Sequence, residues 1–340
     1  MQKVRRLLPG LVVSTGCPAG IGPEVSIAAA VKVRGAAKVL LGDERTLRAA
    51  AELRGIAQRR LVAWDGQARD DAKVYFAQVG EPLKDKDRAP GKPTARAGNA
   101  QLEYVEAGYT LVKSSLNAAL VTGPVSKAAI AHSGLDRARG FLGHTEWLQE
   151  LDGAKTSVMC FVCDRLATSL VTTHVPIGRV PREVKPAGVS AATVELARLL
   201  QQLGRKKPSL AVASLNPHAG ESKLLGGEEA SAIAPGIAAA RKVLGKSALV
   251  TGPVGAETAY RKASAGGYDG VVAMYHDQAT IPMKLLAFGD AVNVTAGLSI
   301  VRTSVDHGTA YDIAWRGEAN EDGMRAALDL AVRIVQGRKA

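Results

Sequence analysis

The sequence predicts an α/β protein with a mainly parallel sheet, organised in about two domains. Three observations lead there. Short β-branched runs alternate with longer Ala-, Leu- and charge-rich stretches, the pattern of βαβ units. The length, 340 residues, is what about two ordinary domains need. One run, LVTGPV, occurs at 120–125 and again at 249–254, each time closing a strand-like segment before a helix-like one.

Taken in order, the basic opening MQKVRR leads into a short apolar part that meets Pro9 and Gly10, which reads as a first strand over 11–16 and not as a signal peptide. The turn 15–24, TGCPAGIGPE, follows it. Pro23 suits the first helical position and Glu24 the first turn, and Gly-rich backbone at a helix start is able to take an anion. Further strands are expected at 37–43, 118–125, 156–162, 167–175, 209–216, 247–254, 270–277 and 291–297. Helices are expected at 98–116, 183–204, 226–244 and 321–337, and residues 80–97 read as an exposed loop rich in Pro, Gly and charge. In both LVTGPV copies Gly permits a tight turn and Pro a helix start, so two equivalent strand ends suggest two sheets facing one cleft.

Composition narrows the function classes. Hydrophobic residues make up 46% and aromatics only 4%, so the cores are aliphatic. No apolar run reaches the roughly 18 residues of a membrane span. The formal charge is +12, but the basic residues are scattered, their densest cluster (Lys84 to Arg88) is mixed in sign, and no aromatic platform accompanies it. That pattern suits small anionic ligands better than nucleic acid. Three Cys fit a reducing compartment, and the C-x-x-C of Cys160 and Cys163 reads as structural, because strand positions three apart face opposite ways.

The chemistry is densest between Gly270 and Gly317. This stretch holds two His-centred turns, at 275–278 and 306–309, each preceded by an apolar run, and a Lys, an Asn and an Arg nine residues apart: Lys284, Asn293 and Arg302. Two cations and an amide are the inventory for a phosphate or carboxylate, and a charge inside an apolar strand such as that of Arg302 needs a partner. Of six His, His174, His218 and His276 follow or end strand-like runs and His144 opens a helix-like one. Each alone could be an ordinary hydrogen-bonding loop residue; three imidazoles from strand ends suit a zinc-class metal with an open position. His132 sits where a helix C-terminus favours it. The chain has no G-x-G-x-x-G, no Walker A and no nucleophile elbow.

The residues carry a resemblance as well. PAGIGPE (18–24), VTGPVSKAAI (121–130), GHTEWL (143–148), LVTTHVP (170–176), LNPHAGE (215–221), GGEE (226–229), TGPVGAET (251–258), MYHDQATIP (274–282), FGDAVNVTAGL (288–298) and RTSVDHGTAYDIAWRG (302–317) run in order over nearly the whole chain. On them the chain resembles the 4-hydroxythreonine-4-phosphate dehydrogenase family of pyridoxal phosphate biosynthesis. It is distantly similar to isocitrate and isopropylmalate dehydrogenases.

The resemblance implies two α/β/α domains with a cleft between them. The first would comprise 1–140 with 303–340, and the second 141–302, carrying metal ligands and substrate residues. It implies a cytoplasmic homodimer whose active sites draw on both subunits, with no membrane or nucleic-acid partner. It implies NAD, with NADP the alternative, bound without a Rossmann fingerprint, and one divalent metal, zinc-class with cobalt or magnesium as alternatives. Carried over by position, His174, His218 and His276 fall on the metal ligands. His144, Thr145, Lys284, Asn293 and Arg302 fall on substrate-binding positions. Asp306, His307, Gly308, Ala310 and Asp312 fall on the nucleotide loop. Lys127 and Asp277 are candidates for the proton acceptor. The implied reaction is NAD-dependent oxidation of 4-phosphohydroxy-L-threonine to 2-amino-3-oxo-4-(phosphooxy)butanoate, which decarboxylates to 3-amino-2-oxopropyl phosphate. The alternatives are a D-threonate or D-erythronate 4-phosphate dehydrogenase of the same family, or a non-catalytic protein that binds a phosphate metabolite. The chain departs from the pattern at Cys17, where many relatives have Glu, and at Glu257, where they have Asp. It also departs at Trp315, where Gly is usual, and over Glu221 to Gly226, which replaces a Gly-rich run.

Overall fold

The computed structural model describes residues 10–338 apart from Arg69 and Phe288, so the basic N-terminal stretch read above lies outside the described residues. In chain order the elements are β1 (Gly10–Ser14), α1 (Gly22–Ala30), β2 (Ala37–Gly42), α2 (Glu44–Leu53), β3 (Leu61–Ala63), β4 (Val74–Gln78), α3 (Ala95–Lys113), β5 (Ala118–Thr122), α4 (Lys127–Ala131) and α5 (His144–Asp152). Next come β6 (Val158–Val162), β7 (Ala167–Leu170), α6 (Val180–Glu183), α7 (Pro186–Gln202), β8 (Ser209–Ala213), α8 (Ala234–Leu244), β9 (Leu249–Val254), α9 (Ala256–Ser264), β10 (Gly270–Ala273), α10 (His276–Leu286) and β11 (Val292–Ala296). The chain closes with β12 (Val301–Ser304) and α11 (Asp322–Gly337).

Two compact units emerge. Unit 1 holds the residues up to Ala154 and those from Leu298 on; unit 2 holds Lys155–Gly297. The expected division assigned 141–154 and 298–302 to the second domain. They group with unit 1 because β12 pairs with β5, Arg302 opposite Leu120, and because Leu148 of α5 joins the core built around α3, with Leu298 and Ile300.

Unit 1 orders its strands β3-β4-β2-β1-β5-β12, every neighbouring pair parallel. Leu11, Val12, Val13 and Ser14 are all buried, as expected of a central strand covered on both faces. The covering helix α1 (GPEVSIAAA) is buried over its whole length, which small side chains permit. Side-chain caps mark some of the helix starts. Asp43 accepts from Thr46 N at 2.9 Å for α2, and Thr94 accepts from Ala97 N at 3.2 Å for α3.

Unit 2 orders its strands β11-β6-β7-β10-β8-β9. β7, β10, β8 and β9 run parallel, while β6 pairs antiparallel with both β7 and β11. The expectation of a mainly parallel sheet therefore holds, with one antiparallel meander at 158–170. Its core gathers Met159, Phe161, Leu170, Val271 and Met283 with the buried face of α9. Cys160 is buried in β6 and Cys163 is half-buried just after it; both are free thiols. No helix among the described residues is long and apolar enough to cross a membrane.

The turn after β1 and the first LVTGPV turn interlock. Gly123 N donates to Ser14 O at 2.8 Å and Cys17 N to Pro124 O at 2.9 Å. Gly16 makes this possible: its φ is +76°, and a Cβ there would lie 2.2 Å from Pro124 O. Gly16→Ala is expected to lower stability by more than about 2 kcal/mol, combining left-handed strain with a backbone clash. Denaturant unfolding measures this, and a change below about 0.5 kcal/mol would contradict the close approach.

Candidate functional site

In unit 1 the chemistry centres on a buried cation. Arg302 lies on β12 and is 2% exposed. Its Nε and Nη2 both donate to Thr122 Oγ1, at 3.2 and 2.7 Å, from the end of the neighbouring strand β5. Burial pushes its pKa down to about 10, with the Glu146 carboxylate opposing the shift, so it stays charged at neutral pH.

His144 opens α5, as expected. Its ring stands edge-on to Phe141 with centroids 6.3 Å apart, and its Nε2 is sealed from solvent with no hydrogen-bond partner among the described residues. Burial first, then the Arg302 and Lys127 charges, push its pKa well below the usual imidazole range. The ring is therefore neutral and its Nε2 can donate or accept. Lys127, the first residue of α4, is exposed and reaches over Gly143: a Cβ there would lie 3.7 Å from Lys127 Nζ and 3.0 Å from Glu146 Oε2. Thr145 follows His144, half-buried. Two cations, one carboxylate and an unpaired imidazole nitrogen make a cluster with a surplus of positive charge, suited to an anion.

In unit 2, His174 and His276 come together. Their ring centroids are 5.7 Å apart, with planes tilted by 41°. They line a cavity of about 200 Å³ with Thr173, Val175, Tyr275 and Asp277. The expected strand ends are displaced: β7 stops at Leu170 and β10 at Ala273, so His174 sits in a loop and His276 is the first residue of α10. Asp277 Oδ1 lies 2.7 Å from His276 Nδ1. That contact fixes a tautomer with Nδ1 protonated and leaves Nε2 with its lone pair for a cation. The pair thus fits two nitrogen donors of a divalent metal.

His218 is not part of that pair, and among the described residues no group of three or more His, Cys, Asp or Glu is arranged to hold a metal ion. The local backbone at His218 is unusual. His218, Ala219, Gly220, Glu221, Ser222 and Lys223 all have φ between 40° and 81°, a left-handed turn just after Asn216 and Pro217. Each non-Gly residue there costs about 1–2 kcal/mol. Buried Glu229 offsets part of this cost: it accepts from Leu215 N and Asn216 N at 2.9 and 2.8 Å and from Asn216 Nδ2 at 3.0 Å. Glu228 takes a second bond from Asn216 Nδ2 at 2.8 Å.

The remaining expected residues are spread out. Lys284 is on the exposed side of α10. Asn293 sits in β11 opposite Phe161, its Oδ1 buried with no partner among the described residues. The expected nucleotide loop follows β12. Asp306, Ala310 and half-buried Tyr311 flank exposed His307, Gly308 and Asp312, and His307 Nδ1 lies 3.0 Å from Gly308 O. This loop is fastened to the 17–24 turn. Ile21 N donates to Thr309 O at 3.0 Å, and Glu24 takes Gly317 N at 3.1 Å as well as Trp315 N.

Sequence reasoning missed Thr122, Glu146 and Glu229. Thr122 lies inside the repeated LVTGPV, and Glu146 two residues after His144, so position offered a signal for both. Glu229 closes the GGEE run at 226–229, but its role, holding backbone, has no signature in residue type.

Against known proteins, the family model described as pyridoxal phosphate biosynthetic protein PdxA matches residues 34–331. The 4-hydroxythreonine-4-phosphate dehydrogenase of Geobacter metallireducens is 39% identical, covering 96% of this chain and 96% of its own. The D-threonate 4-phosphate dehydrogenase of Pectobacterium atrosepticum is 36% identical, over 95% of this chain and 98% of its own. The crystal structure of 4-hydroxythreonine-4-phosphate dehydrogenase from Klebsiella pneumoniae superposes with a TM-score of 0.82 at 34% identity, covering 96% of this chain and all of that one.

Proposed function

Since the chain belongs to the PdxA family of pyridoxal phosphate biosynthetic proteins, we propose that it oxidises 4-phosphohydroxy-L-threonine with NAD, NADP being the alternative acceptor. The immediate product is 2-amino-3-oxo-4-(phosphooxy)butanoate. Its carboxylate is β to the new ketone, so CO2 leaves to give 3-amino-2-oxopropyl phosphate. The observation that carries this reading is the positively charged cluster of buried Arg302 with His144 and Lys127.

In the proposed reaction the substrate's secondary hydroxyl passes its proton to a base, with Lys127 and Asp277 as the candidates, and its carbon gives a hydride to the nicotinamide, which supplies the two-electron acceptor. Arg302, oriented by Thr122, binds the phosphate, and Lys127 adds charge at the same end. His144, kept neutral, uses Nε2 as a hydrogen-bonding partner. Asn293 Oδ1 and Lys284 are assigned to the substrate as well. Asp277 holds His276 in one tautomer, which favours an orienting role for it over that of proton acceptor. A divalent metal held by His174 and His276, with His218 as a further ligand, would stabilise negative charge developing on the substrate's hydroxyl oxygen. Nitrogen donors favour the zinc class over magnesium. Asp306, His307, Gly308, Ala310 and Asp312 are assigned to the dinucleotide.

The D-threonate 4-phosphate relative, at 36% identity against 39%, supports a second reading in which only the non-phosphate end of the substrate differs. A spectrophotometric assay of NAD reduction separates the two. The protein is chelated, zinc, cobalt or magnesium is added back, and both substrates are compared. Faster turnover of 4-phosphohydroxy-L-threonine with restored metal is expected. Preference for D-threonate 4-phosphate selects the second reading, and full activity after chelation removes the metal from the proposal.

Arg302→Ala should lower kcat/KM by about 100-fold or more, mostly through KM. An unchanged KM would take Arg302 out of the substrate site. The proposal includes a homodimer; exposed Ile281 (59%) and Leu285 (82%), one turn apart on α10, support an apolar contact with a second copy. Light scattering of the active enzyme should give twice the chain mass, and a monomer would remove this part of the reading.

A further inference from the structure

Trp315 is in an unusual position. Its φ is +61°, in the left-handed region that costs an L-residue about 1–2 kcal/mol. Glycine would adopt it without strain. A strained residue persists when its surroundings hold it there, and the surroundings of Trp315 are specific. Its backbone N–H donates to Glu24 Oε1 and its indole Nε1–H to Pro18 O at 2.9 Å. Glu24 is fully buried, and its other oxygen accepts from Gly317 N at 3.1 Å. The same turn grips the start of the loop, through Ile21 N to Thr309 O at 3.0 Å and a 3.4 Å contact between Cys17 Sγ and the Tyr311 hydroxyl.

Most of these bonds are backbone contacts that a glycine at 315 would also make. The indole bond to Pro18 is the one that depends on the side chain of Trp315. Its acceptor belongs to the rigid turn interlocked with β5, so the indole ties the far end of the loop to the core of unit 1.

We propose that Trp315 is a positioning residue for dinucleotide binding: its indole N–H locks the 306–317 loop onto Pro18, so that the loop is ordered before the dinucleotide arrives. This rests on the reading of that loop as the nucleotide site. A loop already ordered in its binding conformation raises affinity without adding a contact, because the ordering entropy is not charged to the ligand. The effect falls on dinucleotide affinity and not on the chemical step.

The test uses Trp315→Phe, which keeps an aromatic ring without the donor, and Trp315→Gly, which accepts the backbone angle without the tether. Hydrogen-exchange mass spectrometry follows peptides spanning 306–317, with β5 peptides as a control for folding. Steady-state assays give KM for NAD and kcat. Both variants are expected to exchange faster in the loop alone, with KM for NAD raised about 3- to 10-fold and kcat within about twofold. Faster loop exchange with an unchanged KM for NAD would support the lock and overturn the nucleotide reading of the loop. Loop exchange equal to wild type in Trp315→Phe would overturn the proposal. So would a fall in kcat at constant KM.

Discussion

A guanidinium inside a strand constrains most of unit 1. Arg302 is 2% exposed, and a buried charge without partners is costly enough to unfold a domain of ordinary stability. The neighbouring elements answer that demand. Thr122 at the end of β5 takes two of its donors, and Glu146 on α5 faces it with the opposite charge. His144 is kept uncharged in the same environment. The arrangement leaves positive potential over, and a bound anion would complete the compensation. The fold thus carries an uncompensated positive charge around Arg302 and His144.

Much of the fold was legible because its signals are local. Apolar β-branched runs ending in Gly, Pro or polar turns marked β1, β2 and β5 to β11 to within a few residues. The helix starts at Pro23 and His144 fell where capping and proline rules put them. β3 and β4 were not legible: three and five residues long, they lie among charged and Gly-containing segments that dilute the pattern. The antiparallel turn of β6 against β7 was hidden because buried strands of either direction read alike. The separation of 141–154 from unit 2 depends on tertiary packing of α5, which has no local signature.

The site divides along the same line. Arg302 and Asn293 were recognisable as polar groups set in apolar strands, and His144 as a residue at a helix start. Their partners were harder to see. Thr122 is 180 residues from Arg302, and Glu229 acts on backbone amides 13 and 14 residues earlier. His218 opens a run of left-handed residues that the sequence did not announce. Only Gly220 in that run is of the type that adopts such angles freely. Trp315 was visible in the sequence, but its setting needed the backbone angle and the carbonyl of Pro18.

The interrupted course of unit 1 bears on how the protein is made. β6 and β11 pair antiparallel, with Val158 opposite Ala296, so the chain enters and leaves unit 2 side by side. During synthesis all the strands of unit 2 are added before β12 and α11. Unit 1 meanwhile waits with β5 unpaired on one edge and with α1 and β5 lacking the cover of α11. At about 5–20 residues per second that exposure lasts seconds. Arg302 is therefore added only after the whole of unit 2, and a C-terminally truncated chain can carry all of unit 2 and still lack the cation that Thr122 and Glu146 face.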